Sequence, residues 1–177
     1  NFAEAFAGMA YSYSFLGATG RLAPREAYPK AEEYAKKSLA ITDQLADSQL
    51  ALAVVRLFHY WDFKGAKRYL ERALAMRPSS AKIKYVYALY LTARGKHKAA
   101  IRLLSEALKK NPLSLHINAD LAQAYLNIGK PAEALEQYNR TLELDPDFRS
   151  AIEGKGWAFV ACGDLESARQ VFEAFSW

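Results

Sequence analysis

Three histidines and one cysteine hold most of the metal-ligating and nucleophilic capacity of this 177-residue sequence: His59, His97, His116 and Cys162. A structural zinc site needs four such ligands, usually paired at short spacing on a turn or on one helix face. No two of these histidines stand at i, i+4, and there is no second cysteine. No metal is therefore expected. Cys162 lies beside Gly163 with no basic neighbour to favour a thiolate, so it reads as a small buried hydrophobe. The stretch Glu153-Gly154-Lys155-Gly156 lacks the gap that a phosphate-cradling loop requires. Asn139-Arg140-Thr141 fits a glycosylation sequon but falls inside a helical pattern. The carboxylate pairs Glu32/Glu33 and Glu133/Glu136 fall on outer helix faces. No nucleophile and base can be paired, so the chain reads as non-catalytic, with no cofactor.

What the sequence does repeat is spacing. Pro78, Pro112 and Pro146 lie 34 residues apart, and so do Ala66, Ala100, Ala134 and Ala168. Gly95, Gly129 and Gly163 keep the same step. A fixed period of this length is a structural repeat, which sets the elements that must position every other residue. Residues 115–146 show what one unit contains. Leu121, Tyr125 and Ile128 recur at helical spacing, and so do Ala134, Leu135, Tyr138 and Leu142. Between these two helices, Gly129 suits a left-handed C-cap and Pro131 a first helical turn. Ala122 and Ala134 let the helices approach closely, and the two tyrosines fill the remaining volume. One such hairpin cannot bury both its faces, so neighbouring hairpins must stack.

These residues resemble the tetratricopeptide repeat. Leu121, Ala122, Tyr125, Ala134, Tyr138, Thr141 and Pro146 stand at its signature positions. Tyr87, Ala88, Leu91, Ala100, Leu104, Ala107 and Pro112 do so one repeat earlier. Ala53, Val54, Leu57, Ala66, Leu70, Ala73 and Pro78 do so before that, and Ile152, Gly156, Phe159, Ala168 and Phe172 do so last. Residues 1–17 align with 147–163, Gly17 matching Gly163, and mark a first repeat. Its second helix is expected late, from Pro29, after an inserted loop at 18–28. The expected architecture is all-α: an α-α superhelix, a right-handed solenoid of about five hairpins. The repeats are about 1–46, 47–80, 81–114, 115–148 and a truncated 149–177. The chain is also similar to the C-terminal repeat region of bacterial signalling and transcription-regulator proteins. There such arrays follow a DNA-binding, cyclase-type or kinase domain.

The resemblance implies function by surface recognition. In the family, set positions on the first helix of each repeat line a concave groove. Carried over, they give Tyr11, Phe15, Phe58, His59, Lys82, Tyr85, Leu89, His116, Gln123, Asn127 and Trp157. His97 reads as helping to cap a turn. The lining is aromatic and apolar with a few polar tips, as suits a peptide or a partner domain. Family members that clamp a peptide's terminal carboxylate use lysines, an arginine and asparagines, of which only Lys82 is present. A more apolar ligand is expected.

Formal net charge is +5, unevenly placed. Residues 62–110 hold thirteen Lys/Arg against three Asp/Glu, whereas 111–177 hold five against ten. The alternative reading is a basic arm over residues 64–110 that attracts nucleic acid or an acidic partner through Lys64, Lys67, Arg68, Arg72, Lys96, Lys98 and Arg102. Aromatic residues among these cations fall at core spacing, so protein binding is preferred and nucleic acid is not expected. No apolar run reaches membrane-span length and no signal peptide opens the chain, so a cytoplasmic location is expected. One cysteine excludes an internal disulfide. A first residue other than methionine implies a piece of a longer protein. The ending Val171–Trp177 leaves Phe172, Phe175 and Trp177 at an open edge. Further chain or a second copy is expected to cover it.

Overall fold

The computed structural model describes residues 2–174 and is all-α over them. The helices are α1 (Phe2–Ala18), α2 (Pro24–Ile41), α3 (Ala46–Phe58), α4 (Phe63–Met76) and α5 (Ala81–Ala93). They continue as α6 (His97–Lys110), α7 (Leu115–Asn127), α8 (Pro131–Leu144), α9 (Arg149–Cys162) and α10 (Leu165–Ala174). The pairs α1–α2, α3–α4, α7–α8 and α9–α10 pack as hairpins. The chain divides into two compact units, residues 1–90 and 91–177, with the division inside α5.

The 34-residue register is visible in each element. α4, α6 and α8 end at Met76, Lys110 and Leu144, two residues before Pro78, Pro112 and Pro146. Proline disfavours helical geometry in the residue before it, which stops each helix there. Gly95, Gly129 and Gly163 all take positive φ, between 70° and 81°. Ala66, Ala100 and Ala134 are fully buried and Ala168 nearly so, where helices press closest. Caps are set locally: the Gly65 N–H donates to Asp62 Oδ1, and the Ile117 N–H to Ser114 Oγ.

In the first unit α1 packs on α2 and α3, and α3 on α4. Ala10, Ala35, Ala51 and Leu52 form one cluster of its core, with Tyr34, Leu39 and Tyr69 against them. A buried hydroxyl chain ties three helices together. Ser48 Oγ donates to Ser38 Oγ at 2.7 Å, and Ser38 Oγ donates to the Ala3 carbonyl at 2.8 Å. In the second unit α7 packs on α6, α8 and α9, and α9 on α8 and α10. Its core joins Ala119, Ala122, Ala134, Tyr138, Ala151 and Ala158.

Several expectations from sequence need correction. α2 starts at Pro24, not Pro29, so the connection after α1 is only residues 19–23. Pro29 lies inside the helix. The early start buries Ala27 and Tyr28 against Gly17, where an added Cβ would sit 2.9 Å from Ala27 Cβ. That burial outweighs the lost N–H of Pro29. Gly17 is thus a close-contact residue within α1, and Gly20 takes the left-handed turn instead, with φ 70°. Cys162 is exposed, not buried. Glu32 is buried, not on an outer face. Phe172 is half-buried, while Phe175 and Trp177 lie outside the described residues. No helix is long and apolar enough to cross a membrane among the described residues.

Candidate functional site

In the first unit the first helices of three successive hairpins meet at one polar cluster. Asp47, in the first turn of α3, accepts from Lys82 Nζ of α5 at 3.0 Å and from Arg77 Nη1 at 3.0 Å. The same Lys82 Nζ stands 4.0 Å from the centroid of the Tyr11 ring of α1. Tyr11 stacks on Phe15 one turn later, centroids 6.3 Å apart. Burial first, and then the charge of Asp47, push the Tyr11 phenol up to about 12. The phenol therefore stays neutral and offers a hydrogen-bond donor. Tyr85 and Leu89 lie half-buried on α5, and Phe15 is partly exposed.

This arrangement suits recognition rather than a charge clamp. Lys82 is already engaged by a carboxylate and an aromatic face. A peptide's terminal carboxylate would have to compete with Asp47 for it. Asp47 and Arg77 were not among the residues singled out from sequence. Asp47 opens a repeat that Arg77 closes, so the hairpin itself brings these two together, and the next repeat supplies Lys82.

Phe58 and His59 lie at the opposite end of α3 from Asp47. Phe58 is half-buried. His59 packs between Tyr28 of α2 and Tyr60, at 5.3 and 4.7 Å. It is thus not brought together with Tyr11 and Lys82.

The second unit presents three smaller features. His116 of α7 is exposed and meets Phe148 edge-on at 5.3 Å. Gln123 donates to Asn127 Oδ1 at 3.0 Å and accepts from the Tyr138 hydroxyl at 3.2 Å, so its amide is fixed from both sides. Burial raises the Tyr138 phenol strongly, with Asp120 and Glu153 adding to it. Trp157 of α9 is 54% exposed and leans edge-on against Phe172 of α10, centroids 5.5 Å apart. His97 opens α6 with its Nδ1 buried and unpartnered, so that nitrogen caps nothing. No group of three or more His, Cys, Asp or Glu among the described residues could hold a metal ion.

The basic residues divide between the units. Lys64, Lys67 and Arg68 of α4 line a concavity of about 480 Å³, but Asp62 and Glu71 line it too. Lys67 pairs with Glu71 at 3.4 Å, and Arg68 lies over Tyr69. Arg72 is exposed on the same helix, and Lys96, Lys98 and Arg102 are exposed at and within α6.

Comparison with known proteins agrees with this repeat architecture. Two family models described as tetratricopeptide repeat match residues 91–154 and 62–114. A protein SGT1 homolog from Oryza sativa is 31% identical over 74 residues, 42% of this chain and 20% of that protein. The Hsp70-Hsp90 organizing protein of Triticum aestivum is 28% identical over 79 residues, 45% of this chain and 14% of that one. The chain thus spans a fifth or less of these relatives. The solved structure of Pseudomonas aeruginosa pilF superposes with a TM-score of 0.81 at 22% identity, covering 99% of this chain and 77% of that one.

Proposed function

Residues 62–154 carry tetratricopeptide repeats, and on that premise we propose that this chain is a non-catalytic scaffold that binds a partner protein. The ligand is a peptide or a small domain, lying on the first helices of the hairpins. The same register extends the assignment to a single array over residues 1–177. The observation that carries this reading is the convergence of Tyr11, Asp47 and Lys82 from α1, α3 and α5. Three repeats thereby contribute to one surface, beside the partly exposed Phe15. Large amphipathic aromatics give contact area at low entropic cost, which is what an adaptable protein interface uses. We place the module within a larger bacterial regulatory protein in the cytoplasm, from the sequence resemblance alone. The relatives' names support protein partnership: one is an Hsp70-Hsp90 organizing protein.

The basic-arm reading comes second. The α4 concavity mixes three cations with two carboxylates, whereas a phosphate track calls for cations without acids between them. Association of copies through the C-terminal edge is a further proposal. Exposed Trp157 and half-buried Phe172 motivate it.

The test is quantitative affinity capture with the wild-type chain and with Tyr85→Ala/Trp157→Ala. The double variant should fold, by circular dichroism, and lose the partners that the wild type retains at 150 mM salt. An identical set of partners in both would remove the first-helix surface from the account.

A further inference from the structure

A groove in the second unit differs in chemistry from its counterpart one repeat on. Leu108 and Lys109 of α6, Leu121 and Tyr125 of α7, and Gln137 and Arg140 of α8 line a groove of about 320 Å³. The next repeat builds a groove of about 220 Å³ from Leu142, Ile152, Lys155, Val171 and Ala174. At the 34-residue step Leu142 replaces Leu108, Val171 replaces Gln137 and Ala174 replaces Arg140. Stacking of hairpins therefore proceeds with a valine and an alanine at these positions. Packing alone does not call for the glutamine and the arginine.

Gln137 Oε1 is buried without a hydrogen-bond partner among the described residues. A buried acceptor left unmade destabilises, so packing gains nothing from the glutamine. Lys109 and Arg140 form no ion pair among the described residues. Elsewhere Lys30, Lys36, Lys37, Lys67 and Arg169 each pair with a carboxylate along their own helix. Arg140 has Glu136 four residues before it and Glu143 three after, and takes neither. No carboxylate lines the groove.

We propose that this groove binds a peptide segment of a partner protein in which a carboxylate side chain stands beside an aliphatic one. Lys109 and Arg140 hold the carboxylate, Arg140 with the planar fork that suits it. Leu108, Leu121 and Tyr125 receive the aliphatic side chain. This surface is separate from the first-helix surface and gives the scaffold a second point of attachment.

The probe is a fluorescein-labelled, end-capped Gly-Leu-Asp-Leu-Gly peptide, with Gly-Leu-Asn-Leu-Gly as its neutral twin, read by anisotropy on the full chain. The Asp peptide should bind, and the Asn peptide about tenfold more weakly or worse, since it loses the charge-assisted bonds. Arg140→Ala installs the next repeat's residue and should fold. It should weaken the Asp peptide by about tenfold. Tyr85→Ala/Trp157→Ala should bind it as the wild type does. Equal affinity for both peptides, no binding at millimolar peptide, or unchanged affinity in Arg140→Ala overturns the proposal. So does loss in the Tyr85/Trp157 variant, which moves the peptide to the other surface. Sedimentation supplies the remaining arm: self-association abolished by Arg140→Ala would make the occupant a second copy and overturn it likewise.

Discussion

Glu32 sits on the inner side of α2 and divides its carboxylate among three donors. Lys36 Nζ lies 2.9 Å and Arg56 Nη2 3.2 Å from Oε1, and the Tyr60 hydroxyl donates to Oε2 at 2.9 Å. Burial pushes this carboxyl up. The bonds from Lys36 and Tyr60, with the charges of Lys36 and Arg56, outweigh it and hold the group below its usual value. A carboxyl whose folded value is depressed stabilises the fold above its unfolded pKa, about 4.3 for glutamate. That contribution is lost as pH falls through the lower folded value. Glu32→Gln should lower the urea midpoint at pH 7, at a cost of about 2 kcal/mol. It should also flatten the loss of stability between about pH 5 and 3. Matching acid slopes for both proteins would refute the role. Lys36 as a partner was legible four residues along the helix. Arg56 and Tyr60, 24 and 28 residues away, become partners only through the packing of α2 on α3.

At the scale of an element, the turn between α3 and α4 departs from its equivalents. Trp61 occupies the register position held elsewhere by Gly95, Gly129 and Gly163, and takes φ 54°. The left-handed region costs a residue with a Cβ roughly 1–2 kcal/mol. Trp61 is 68% exposed and meets the Phe63 ring edge to face, centroids 6.4 Å apart. Its packing offsets part of that strain and no more. Trp61→Gly should therefore raise stability by about 0.5–1 kcal/mol, read as a higher thermal midpoint. A lower midpoint would show that the indole contributes more than its contacts indicate. This position could have been found from sequence, since the 34-residue step from Gly95 lands on Trp61. The late start expected for α2 was the opposite case. Pro29 is a strong local stop signal, but burial of Ala27 and Tyr28 under Gly17 is a tertiary gain that no local pattern displays.

At the scale of the whole molecule, stability in a repeat protein is close to a sum of hairpins and their neighbour interfaces. A lesion at one interface should then be felt near it. Gly154 of α9 provides the lesion, because an added Cβ would fall within the Tyr138 ring of α8. Tyr138 is 1% exposed and has no room to retreat. Gly154→Ala should cost about 2 kcal/mol through overpacking. Amide exchange should quicken in α8, α9 and α10 while α1 and α2 keep their protection. Uniform acceleration along the chain would argue for one cooperative unit instead.

The helical hairpins, their 34-residue period, their stops at proline and their alanine contacts follow from sequence alone. Each rests on backbone geometry or on spacing along one chain segment. The first-helix positions were legible to the same extent, because register names a face. Which of them meet was decided by tertiary structure: Tyr11 with Lys82 and Asp47, His59 with Tyr28, Trp157 with Phe172. So were the buried Glu32 and the lack, among the described residues, of an ion pair on Lys109 and Arg140. Those pairings join residues from different helices, and only the packing of helix on helix, within a hairpin or between hairpins, sets the distances between them.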